Sequence, residues 1–92
     1  MSADQHRLEE LIATTGGFDH LRVKKYGDHL ILFSGKAEHE QKHARLTRFR
    51  GNEWGLSLWH HTGRWEKAPF TGSLPDVFAS LTENFPMFLE SY

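Results

Sequence analysis

Two histidines four residues apart, His39 and His43, are the first residues whose types and spacing suggest chemistry. On a helix that spacing sets both imidazoles on one side, where they can bind zinc or nickel. They lie in Glu38-His39-Glu40-Gln41-Lys42-His43, which satisfies the His-Glu-x-x-His pattern of zinc metalloproteases. The context opposes a protease, because that chemistry needs a stable helix beside a substrate cleft and a third ligand. Here the segment is polar all round and the chain has only 92 residues. His60-His61 adds a ligand only if folding brings it near. The plainer expectation is a solvated loop or strand extension, with His39 and His43 retained as the candidate metal pair.

A second constellation is basic and aromatic: Arg22, Lys24, Lys25, Arg45, Arg48, Arg50 and Arg64, interleaved with Phe49, Trp59 and Trp65. Cations that neutralise phosphates and aromatics on which bases stack are what a sheet needs to bind nucleic acid. Four points weigh against it: Phe49 and Trp54 are also candidates for the core, the pI is near 6.6, an RNA-binding sheet motif is absent, and cross-strand glutamates such as Glu53 and Glu66 are ordinary partners for the arginines. The third constellation is the pair Trp59 and Trp65. Tryptophan anchors interfaces because it buries much area at little entropic cost, yet a small domain also needs such side chains in its core. Arg45, Arg48, Trp59, His61 and Trp65 are therefore the candidate interaction surface.

Catalysis has no comparable constellation. The glycines read as turns, helix stops or strand bulges rather than a phosphate-cradling loop, and Ser34, Ser57 and Ser73 lack a nucleophile-elbow context. Glu66 with His60 or His61 is explained equally well as a cross-strand ion pair. No cofactor is implied, and no motif carries a family resemblance from which a function could be drawn.

The elements that must position these residues follow from periodicity and punctuation. Ser2-Ala3-Asp4-Gln5 has the form of a capping box; Leu8, Leu11 and Ile12 recur at helical spacing; Gly16-Gly17 gives the stop. The spacing predicts a helix over residues 3 to 15. Short apolar and β-branched runs then predict strands at Leu21 to Tyr26, His29 to Ser34, Ala44 to Arg50, Trp54 to His61 and Arg64 to Lys67. Gly27-Asp28 as a two-residue turn sets Val23 opposite Leu32, and Gly51-Asn52 sets Phe49 opposite Trp54. For the last hairpin two registers stay open: a three-residue His61-Thr62-Gly63 loop faces Trp59 with Trp65, whereas a two-residue loop faces Trp65 with His60. Gly35 to Lys42 reads as a long polar loop or a strand extension. Ser73-Leu74-Pro75-Asp76 starts a second helix with the stripe Leu74, Val77, Phe78 and Leu81, and Pro86 ends it near Asn84, leaving a short terminal turn.

The expected architecture is a single α+β domain over residues 1–92: N-terminal helix, antiparallel meander of four or five strands, and C-terminal helix, with both helices on one sheet face. One core is the limit at this length. There is no cysteine, which excludes disulfides, thiol chemistry and thiolate zinc sites. No apolar run approaches membrane-spanning length and the N-terminus is polar and acidic, so a cytoplasmic location without membrane association is expected. Net charge is −1 but segregated: −3 over residues 1–19, +5 over 20–68, and −3 from 69 onward. The acidic ends are the helices and the basic middle is the sheet, so the uncovered sheet face is expected to be basic.

These readings point first to a non-catalytic protein-interaction module, binding a protein partner or its own copy through that face. Nucleic-acid binding by the same face is the alternative, and a histidine metal-binding protein the second.

Overall fold

Helix α1 (Ala3–Thr15) is followed by strands β1 (Arg22–Tyr26), β2 (His29–Ser34), β3 (Gln41–Arg50), β4 (Glu53–His60) and β5 (Arg64–Gly72), then helix α2 (Leu74–Asn84) and a 3-10 turn (Pro86–Leu89). These elements come from a computed structural model, which describes residues 3–35, 38–60 and 62–89. Ser2 of the expected capping box, and with it that cap, lies outside the described residues. At α2 the cap is explicit: the Ser73 hydroxyl accepts from the Asp76 backbone N–H, and Pro75 occupies the first turn, where a missing N–H costs nothing. Phe85 closes that helix by donating its N–H to the Leu81 carbonyl, and Pro86 begins the terminal turn.

The five strands form one antiparallel sheet in the order β1-β2-β3-β4-β5. Turn chemistry sets most of the register. The Gly27-Asp28 turn pairs Tyr26 with His29 and Val23 with Leu32, as expected. The last hairpin takes the three-residue loop: Gly63 has φ +88°, its N–H donates to the His60 carbonyl, and Trp59 faces Trp65. The middle hairpin departs from expectation. Arg50 pairs with Glu53, but Trp54 then faces Arg48 rather than Phe49, because a bulge at Phe49 offsets the strands by one residue. Two further expectations move. Strand β3 begins at Gln41, not Ala44, and β5 runs to Gly72, not Lys67.

Burial follows the pleat. Val23, Leu30, Leu32, Ala44, Leu46, Trp54, Leu56 and Leu58 point to one side and pack against Leu8 and Ile12 of α1, the whole Leu74-Val77-Phe78-Leu81 stripe of α2, and Leu89 of the terminal turn. Both helices thus cover the same face. Among the described residues the opposite face carries no helix, and no helix is long and apolar enough to cross a membrane.

The core should be unforgiving at its centre and indifferent at its rim. Leu46, wholly buried on the middle strand, is expected to cost about 2–5 kcal/mol when changed to Ala. Tyr26→Ala, at a site 74% exposed, should stay within about 0.5 kcal/mol. Urea unfolding of the two variants beside the parent checks both values.

Candidate functional site

The register lays the open face out as three rows across the strands. The first runs through Arg22, Phe33 and Lys42 to Trp59 and Trp65; the second through Lys24, Ile31, Arg45, Ser57 and Lys67; the third through Tyr26, His29, Thr47, Gly55 and Thr71. Five cations stand in these rows and none of the residues is Asp or Glu. The nearest carboxylate contact comes from the loop before β3, where Glu40 meets Lys24 at 2.7 Å.

Aromatic rings hold the cations in place. Arg22 and Lys24 both lie 4.7 Å from the centroid of Phe33, Lys42 lies 4.6 Å from Trp59, and Arg45 lies 4.8 Å from Trp65. A cation over a ring face is attracted by the ring quadrupole, by about 0.5–1 kcal/mol at exposed sites. Trp59 and Trp65 meet edge to face, centroids 5.0 Å apart, and both are half-buried on this face rather than in the core. The Arg22 guanidinium also donates to the Gly35 carbonyl.

Between the second and third rows the face is hollow. Strand β4 presents only Gly55 and Ser57 there, flanked by the longer side chains of β3 and β5, and a cleft of about 350 Å³ opens over them. Its walls include His29, Arg45, Thr47, Lys67 and Thr71, with Phe49 and Ala68 at the apolar end. Gly55 forms the floor beneath the Phe49 ring, which a Cβ at this position would meet at 2.6 Å and displace. Within the cleft, His29 Nδ1 and the Thr47 hydroxyl are 2.8 Å apart. Nε of Arg45 is buried and makes no hydrogen bond among the described residues, and a buried donor left so costs about 1–3 kcal/mol.

Of the five expected interaction residues, Arg45, Trp59 and Trp65 share the open face. Arg48 does not: it stands opposite Trp54 on the helix side, donates to Asp4 of α1 at 3.3 Å and to the Gly51 carbonyl at 2.9 Å, and so ties helix to sheet. His61 lies outside the described residues. Lys42, Lys67, Phe33, His29 and the hydroxyls of Thr47, Ser57 and Thr71 join the face without having been singled out. The signal that could have found them is strand alternation, which puts Gly55 and Ser57 on the parity opposite Trp54, Leu56 and Leu58.

His39 and His43 are not on a helix. His39 is exposed before β3, whereas His43 is in β3 and 1% exposed, so a solvated loop describes only the first. A bulge turns His43 inward: Leu32 pairs with Ala44 but Phe33 with Lys42, leaving His43 as the extra residue. Both its nitrogens are engaged, Nδ1 donating to the Phe88 carbonyl at 2.7 Å and Nε2 accepting from the Ser34 hydroxyl at 2.8 Å. His20, whose ring meets that of His43 edge to face, bonds the next carbonyl, that of Leu89. Among the described residues no group of three or more His, Asp or Glu is placed to hold a metal. His60 and Glu66 form a loose cross-strand contact of 3.8 Å.

No family model, no curated protein and no solved structure matches the chain.

Burial lowers the pKa of His43 below 6.5, with the His20 charge adding to the effect and the Phe88 bond opposing it. The unfolded chain then takes up this proton first as pH falls. Stability is present in full above about pH 6.5 and is lost downward through the lower folded value. Thermal unfolding from pH 7 to pH 5 should show a fall in Tm that is shallower in His43→Gln, whose amide can keep both bonds but does not titrate. Parallel falls in the two proteins would refute the assignment. His43→Ala, which orphans the Phe88 carbonyl, should cost roughly 2–4 kcal/mol at neutral pH.

Proposed function

We propose that the protein is a non-catalytic, cytoplasmic interaction module whose open sheet face receives an acidic segment of a partner protein. The carrying observation is the charge of that face: Arg22, Lys24, Lys42, Arg45 and Lys67 stand in its three rows without a carboxylate among them. Four of the five are seated over aromatic rings, so less side-chain freedom is lost when a partner arrives.

The same charge argues against a second copy docking face to face, because five cations would meet five cations at short range. For nucleic acid the phosphate attraction remains, but the stacking platform is reduced. Phe33, Trp59 and Trp65 each have a cation over one ring face, and Phe33 is itself only 7% exposed. A metal at His43 would have to displace both of its hydrogen bonds.

Titration of tryptophan emission with a short Glu- and Asp-rich peptide, and in parallel with a short single-stranded oligonucleotide, tests the proposal. The peptide is expected to perturb Trp59 and Trp65 and to saturate. Lys42→Ala and Arg45→Ala should each weaken it about threefold to fivefold, the loss of up to about 1 kcal/mol per exposed charge pair. Saturation by the oligonucleotide alone, weakening steeply with added salt, would move the assignment to nucleic acid.

A further inference from the structure

We infer that the cleft over Gly55 and Ser57 is a phosphoryl-binding site that takes a phosphorylated side chain of the acidic segment, an assignment that rests on the reading just given. The cleft differs from the rest of the face in its donors. Arg45 and Lys67 flank Ser57 in one row, and His29, Thr47 and Thr71 line the next, so permanent cations and hydroxyls converge on one hollow from β2, β3, β4 and β5. Among the described residues no carboxylate lines it.

Arg45, which lines the hollow, keeps a buried Nε–H that has no acceptor among the described residues, so its guanidinium still has a donor unmet within the protein. Thr47 can supply a second. With the His29 Nδ1–H donating to its oxygen, the Thr47 hydroxyl proton is free to turn to a ligand. A carboxylate brings one charge and two oxygens, which leaves part of this set unmet. A phosphoryl group brings close to two charges and three oxygens, and fits donors that approach from several strands. The volume of about 350 Å³ exceeds that of the phosphoryl group alone and leaves the apolar end, Phe49 and Ala68, to pack against the carbon stem that carries it.

Three peptides, identical except for phosphoserine, serine or glutamate at one central position of an acidic sequence, test the inference when titrated into the full chain. A parallel titration uses inorganic phosphate, followed by the backbone amide signals of Gly55, Ser57 and Thr71. The phosphoserine peptide is expected to bind at least tenfold tighter than the other two, and inorganic phosphate to shift those three amides. Arg45→Gln and Lys67→Gln, both substitutions at partly or fully exposed positions, should abolish the tenfold preference. Equal affinity for the phosphoserine and glutamate peptides, with amides indifferent to inorganic phosphate, overturns the site. If none of the peptides binds while inorganic phosphate still shifts the three amides and Lys67→Gln removes the shift, the phosphoryl site stands and the acidic-segment reading falls.

Discussion

Strand β4 carries its bulk on one side only, and most of the molecule is arranged around that asymmetry. Trp54, Leu56 and Leu58 supply a continuous buried ridge against which α2 packs, so this face had to be the covered one. The other parity, Gly55 and Ser57, is small, with the Phe49 ring over Gly55, and its neighbours on β3 and β5 are long. One alternation thus produces both the core and the hollow on the opposite face. The Phe49 bulge belongs to the same arrangement: it places the ring on Gly55, at the margin of the hollow.

Four of the five cations of the open face are oriented by rings, and of these Lys24 alone also meets a carboxylate, that of Glu40. An ion pair would have cancelled the charge it oriented, whereas a ring orients it and leaves it available. Isolated, each contact is worth little; repeated along Phe33, Trp59 and Trp65, they fix a positive field on one side of a chain whose overall charge is close to neutral. The charges on the helix side serve a different purpose, as Arg48 shows by joining α1 to the sheet.

Much of the fold was legible in the sequence because its signals were local and mutually consistent. Gly16-Gly17 and Ser73-Pro75 bounded the helices, Gly27-Asp28 fixed one hairpin, and the apolar parity of β4 identified the covered face. What alternation could not convey were the interruptions of alternation. The bulge at His43 turns inward a residue whose parity with Arg45 points outward, and the bulge at Phe49 moves Arg48 opposite Trp54. A bulge is stabilised by what meets the displaced side chain, here the Phe88 carbonyl 45 residues away, and no local pattern encodes that partner. For the site, Arg45, Trp59 and Trp65 were visible as residue types at strand positions. The hydroxyls of Thr47, Ser57 and Thr71 were not, because only cross-strand register makes neighbours of residues so far apart in sequence.

The separation of charge between helices and sheet also gives the molecule an electric dipole moment despite its small net charge. Asp4 and Glu10 of α1 and Asp76 and Glu83 of α2 belong to the helices that cover the other face, whereas Glu9 shares a cleft at the sheet edge with Arg22. In the field of an acidic surface such a body experiences a torque before it experiences contact, and rotates with its helices trailing. Orientation is a large part of what holds protein association below the diffusion limit. On the reading proposed above, a nearly neutral protein of this size reaches an acidic partner already aligned, without the indiscriminate adhesion that an excess of positive charge would bring.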